Sequence, residues 1–146
     1  AQYATKDFAV DYHGSLCMFL GKCNFQGFFA KLKALYAHLT YGSTEARVHE
    51  SGYQRPLYAL LASHPALRVI AEDTQAQGRA DLVVESAERV FIFELKVDKT
   101  AQEAIAQIRE RGYAEPYRAL GKPIYLIGLA FKSETHSLSD ALVEEA

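Results

Sequence analysis

The sequence predicts an α/β protein with a mixed β-sheet flanked by helices, its elements running helix, three strands, helix, strand. Two observations predict it. The apolar residues change period along the chain, from helical spacing between Asn24 and Leu39 to three short strand-like runs between Leu67 and Val97. After those runs a segment with an unmistakable helix start, at Thr100, is followed by the continuous apolar run Lys122 to Lys132.

Residues 1 to 45 are expected to form an N-terminal helical extension of one domain covering 1–146. Within it Asn24 is a candidate N-cap, and Phe25, Phe28, Phe29, Leu32, Leu35, Tyr36 and Leu39 form one wide apolar stripe that belongs in a core. "YGST", Tyr41 to Thr44, reads as a turn and N-cap ahead of a helix from about Glu45 to Ala62, with a kink or break near Pro56. "LRVIAED", "RADLVVE" and "RVFIFELKV" are the three strands. Thr100 and Glu103 have the spacing of a capping box, with Ala101, Ala104, Ile105 and Ile108 facing inward. Lys122 to Lys132 is a strand covered on both faces, and 133–146 is an edge strand or a frayed tail.

Composition narrows the function. Sixteen basic and eighteen acidic side chains leave a net charge of -2, so a nucleic-acid site would have to be local. There is no apolar run of the length a membrane span needs and no secretory-signal pattern, so a soluble, cytoplasmic protein is expected. Two cysteines, Cys17 and Cys23, suit a reducing compartment. His13 with these two lacks a second close pair, and small core residues are the better reading than zinc ligands. "GSLCMFLGKC" resembles a phosphate loop only loosely, since six residues separate Gly14 from Gly21 and Cys23 replaces Ser or Thr.

The chemistry lies in "VFIFELKV". With a period of two, Glu94 and Lys96 share a face with Ile92, while Phe91, Phe93, Leu95 and Val97 make an apolar opposite face. A two- or four-residue loop in "ESAE" would pair residues whose numbers sum to 173, setting Asp81 against Ile92 and Arg79 against Glu94. Asp81, Glu94 and Lys96 then project to one side, the two carboxylates diagonal at roughly 7–8 Å between backbones; a three-residue loop would separate them. Two carboxylates so placed suit a hard cation that keeps several waters, and a lysine beside them suits orienting or deprotonating water. The competing reading is a salt-bridged, partly covered sheet surface, which an apolar strand would gain little from.

"GRAD", with Glu94-Leu95-Lys96 thirteen residues after Asp81, resembles the Asp…(Asp/Glu)-x-Lys signature of the PD-(D/E)XK nuclease superfamily. From about Glu50 to Lys132 the chain is similar to the nuclease domain that often ends bacterial AAA-type ATPase-like proteins, through "ESGYQRPLYALL", "GRADLVV", "FIFELKV", "AIAQIRERGYAEPY" and "IGLAF". The resemblance implies a restriction-endonuclease-like core over 46–132 in αβββαβ order and phosphodiester hydrolysis with Mg²⁺ or Mn²⁺, in DNA ahead of RNA. It implies that Asp81, Glu94 and the Leu95 carbonyl hold the metal, that Lys96 positions the attacking water, that Glu50 reaches the metal through water, and that Gln107 touches the phosphate or supports Lys96. Arg79 and Tyr113 match recurrent positions. Ala80 stands where the family name has proline. Arg79, Lys99, Arg109, Arg111 and Lys132 are the cations expected to meet nucleic acid. A homodimer would suit cutting both strands, and an ATPase-like domain is an implied partner. The alternative from another class is a catalytically silent module of the same fold, serving nucleic-acid binding or assembly.

Overall fold

In the computed structural model, which describes residues 16–39, 49–72 and 79–146, β-branched and aromatic runs between Arg68 and Val97 pair into an antiparallel meander. Its strands are β1 (Arg68–Ala71), β2 (Leu82–Glu85) and β3 (Val90–Val97). β4 (Ile124–Lys132) joins β3 in parallel, and β5 (Ser137–Glu145) closes the other edge antiparallel to β4. The strands lie in the order β1-β2-β3-β4-β5, so the sheet is mixed, and the tail is an edge strand.

A parallel neighbour requires a crossover, which α3 (Ala101–Glu110) and a 3₁₀ turn (Glu115–Leu120) provide. α3 begins with the predicted capping box: Thr100 Oγ1 accepts from the Glu103 N–H at 3.1 Å, and Glu103 Oε2 accepts from the Thr100 N–H at 2.9 Å. Further helices precede the sheet. Asn24 caps α1 (Phe25–His38), accepting from the Gly27 N–H, and the stripe Phe28, Leu32, Leu35 and Tyr36 is buried. α2 (Glu50–Ala62) starts at Glu50, with His49 as N-cap; "YGST" and positions 45–48 lie outside the described residues, as does His13.

α2 does not break at Pro56 but runs through it to Ala62. Tyr53, Leu57 and Leu61, all fully buried, pin the helix on either side of the proline, and that packing outweighs the missing backbone donor.

The sheet separates two cores. One face carries Leu82, Val84, Phe91, Phe93, Leu95, Leu129 and Phe131 against α1, α2 and the helical residues 16–21. The other carries Val83, Ile92, Ile124 and Leu126 against Ile105 and Ile108 of α3. Gly128 lets α3 sit close: a Cβ there would lie 2.4 Å from the Ala101 carbonyl oxygen. That contact brings the start of α3 down beside Glu94, the strand partner of Gly128.

The β2–β3 register corrects the expected one. Pairs run Leu82↔Phe93 to Glu85↔Val90, a sum of 175 and not 173. Ser86 is the cause: its Oγ accepts from the Glu88 and Arg89 N–H groups, and its N–H donates to the Arg89 carbonyl, so the loop is Ser86 to Arg89. The slip of two residues keeps the faces unchanged and moves Asp81 level with Glu94 rather than with Ile92.

Candidate active site

Asp81 is the residue ahead of β2 and Glu94 lies mid-β3, each 3% exposed. The two carboxyls lie close enough for each to perturb the other's ionisation. Burial is the main force raising both, Asp81 to about 6 and Glu94 to about 9, and the two charges oppose one another. The Leu95 N–H restrains Asp81 by donating to Oδ2 at 2.8 Å.

Lys96, two residues along the same face, donates to Gln107 Oε1 from α3. The Gln107 amide in turn donates to Glu94 Oε1 and to the Tyr113 hydroxyl, both at 3.2 Å. Gln107 therefore orients the Lys96 ammonium and one Glu94 oxygen together, because α3 is anchored over the sheet by its cap and by Gly128. Glu50, half-buried at the first position of α2, is close enough for its charge to raise both carboxyls further. The sheet and α3 thus bring Asp81, Glu94, Lys96 and Gln107 together, and α2 sets Glu50 within electrostatic reach of the two carboxyls.

Glu94 Oε2 is buried and has no hydrogen-bond partner. A buried carboxylate oxygen without a donor fits a hard cation, and two carboxylates with the Leu95 carbonyl would form the small oxygen set that Mg²⁺ or Mn²⁺ completes with water. Among the described residues no three His, Cys, Asp or Glu side chains gather into a metal-holding group.

The expected cations divide. Lys99 and Arg111 line a groove with Lys96 and Gln107. Arg79 is ion-paired with Glu72 at 3.2 Å instead of facing Glu94. Arg109 turns to the other flank of α3, 2.7 Å from Glu144, and Lys132 stands exposed at the end of β4.

Gln54 escaped the sequence reading. One turn beyond Glu50 and 6% exposed, it donates to the main-chain carbonyls of Asp81 and Glu72, tying α2 to the chain entering β2. A polar residue at i+4 from a site carboxylate in an otherwise apolar stripe was the available signal.

A family model described as PD-(D/E)XK nuclease superfamily matches residues 48–140, which include Glu50, Asp81, Glu94, Lys96 and Gln107. The chain belongs to the PD-(D/E)XK nuclease superfamily. Its mixed sheet with flanking helices in αβββαβ order is the restriction-endonuclease-like core of that superfamily, with α1 added before it and β5 after. An uncharacterized protein in the vnfD 5' region of Azotobacter chroococcum mcd 1 is 34% identical over 122 residues, covering 82% of this chain. The chain spans only 23% of that relative's length. Hjc, a Holliday junction resolvase from Archaeoglobus fulgidus, aligns with a TM-score of 0.36 at 16% identity, over 56% of this chain and 66% of that one. No helix among the described residues is long and apolar enough to cross a membrane.

Proposed function

We propose that this PD-(D/E)XK chain is a metal-dependent nuclease that hydrolyses phosphodiester bonds in DNA. The observation that carries the proposal is the buried pair Asp81 and Glu94, with the bare Glu94 Oε2 beside a lysine held by Gln107. Asp81, Glu94 and the Leu95 carbonyl would hold Mg²⁺ or Mn²⁺, with Glu50 acting through water. The bound ion would polarise a phosphate oxygen and acidify water. Lys96 positions the attacking water and offsets charge on the phosphate, and Gln107 fixes the lysine's aim. Lys99 and Arg111 carry the DNA backbone along the adjoining groove.

This reading adds three further points: a cytoplasmic location, a second copy of the chain to cut the opposite strand, and an ATPase-like domain as partner. The test is cleavage of supercoiled plasmid, linear duplex, single-stranded DNA and RNA with Mg²⁺ or Mn²⁺, wild type against Lys96→Ala. Metal-dependent cutting that the variant loses is expected, by at least about a hundredfold. A folded wild type that binds DNA and cuts none of the four would favour the silent module.

A further inference from the structure

A cavity of about 280 Å³ opens on the far side of the Gln107–Tyr113 contact from Lys96. Its walls are Ala80, Val83, Pro116 and the rings of Tyr113 and Tyr117, and Glu72 and Arg79 stand at its polar end. Its lining is tied to the candidate active site in three ways. Ala80 precedes Asp81, Val83 shares the Asp81 face of β2, and the Tyr113 hydroxyl accepts from the same amide that reaches Glu94.

The polar end is built. The Glu72 N–H donates to the Asp81 carbonyl at 3.2 Å, and the Glu72 carbonyl accepts from Gln54 at 2.8 Å, so the residue is held at both backbone ends. Arg79 holds one carboxylate oxygen, Oε2, at 3.2 Å. Burial and the nearby Glu72 charge push the Tyr117 phenol up, which keeps its ring neutral beside the carboxylate. An aromatic and apolar slot ending in a fixed acceptor is the form of a pocket that takes one planar base. Stacking supplies the grip and the carboxylate selects an amino group.

We propose that this cavity is a subsite for a single unpaired nucleobase next to the scissile phosphate, favouring bases with an exocyclic amino group. The proposal rests on the nuclease reading and sharpens it: the substrate has an unstacked nucleotide at the cut, as in a single strand, a flap or a branch. Cytosine presents an amino donor to Glu72, whereas thymine presents a carbonyl that the carboxylate repels.

The test is equilibrium binding in EDTA, by fluorescence anisotropy, of the full chain to oligodeoxycytidine, oligodeoxythymidine and a duplex of equal length. Oligodeoxycytidine should bind about tenfold tighter than oligodeoxythymidine. Glu72→Gln, at a partly exposed rim position, should erase that preference, since an amide serves either base. Tyr117→Ala should weaken both single strands about tenfold and leave the duplex unchanged, with Tyr117→Phe restoring the loss. Equal affinity for the two homopolymers in the wild type would overturn the proposal, as would Glu72→Gln leaving the preference intact. If Tyr117→Ala fails to fold, as its melting curve would show, the Glu72→Gln arm decides alone. Base discrimination in EDTA without cleavage in Mg²⁺ or Mn²⁺ keeps the subsite and removes the nuclease. Cleavage that treats all three substrates alike keeps the nuclease and removes the subsite.

Discussion

Burying Asp81 and Glu94 side by side makes their charge a property of the fold. Both titrate above their unfolded values, so between the ordinary carboxylate range and about 9 the folded chain binds more protons than the unfolded one. Stability is therefore present at low pH and falls as pH rises through about 6 and then about 9. The metal-free melting temperature should decline across that window, and Glu94→Gln should flatten the upper part of the decline. Mn²⁺ should reverse it, with a gain of about 2.7 kcal/mol at a hundred times the dissociation constant, larger at pH 8 than at pH 5.5 and absent in Asp81→Asn. At this scale the sequence was informative because charges in an apolar strand are conspicuous: Glu94 and Lys96 stood out by period, and Asp81 joined them only through the assumed length of the β2–β3 loop. Gln54 did not, because its partners are the main-chain carbonyls of Glu72 and Asp81, and its place one turn after Glu50 in an apolar stripe hints at burial but not at what it meets.

Each element is placed by a few local devices, and these differ in how far they can be read. The capping box of α3 involves residues three apart and was legible; Thr100→Ala should cost about 1 kcal/mol in urea unfolding. The β2–β3 register turned on which residue opens the loop, and Ser86 took that role through its own hydroxyl, an outcome two residues from the expected one. Of the kink or break expected at Pro56 the break does not occur, because burial of Tyr53 and Leu57 overrides local propensity. Gly128 tests the placement of α3 directly. Gly128→Ala would push a methyl against the Ala101 carbonyl, an overpacking that should cost about 1–3 kcal/mol. Cleavage should fall by more than stability predicts, since Gln107 rides on the displaced helix.

Across the whole molecule a net charge of -2 leaves binding to the arrangement of cations rather than to their number. Lys99 and Arg111 border the Lys96 groove, whereas Arg109 is neutralised by Glu144. The Lys99→Ala, Arg111→Ala pair should weaken DNA binding without base preference and lower the salt slope by about 2, while Arg109→Ala leaves both unchanged; anisotropy titrations over a range of salt would measure this.

α1 and β5 also have a history as well as a position. Phe29, Ala30 and Lys33 of α1 border the same groove as Leu138, Ser139 and Asp140 of β5. On the ribosome, then, α1 is made long before the strand that completes its seat: Phe25 and Phe28 find Phe91, Phe93 and Tyr125 once β3 and β4 exist, and the Phe29 side waits for β5. Nascent chains arrested before Ser137 should accordingly be bound by chaperones through α1 and released once β5 emerges.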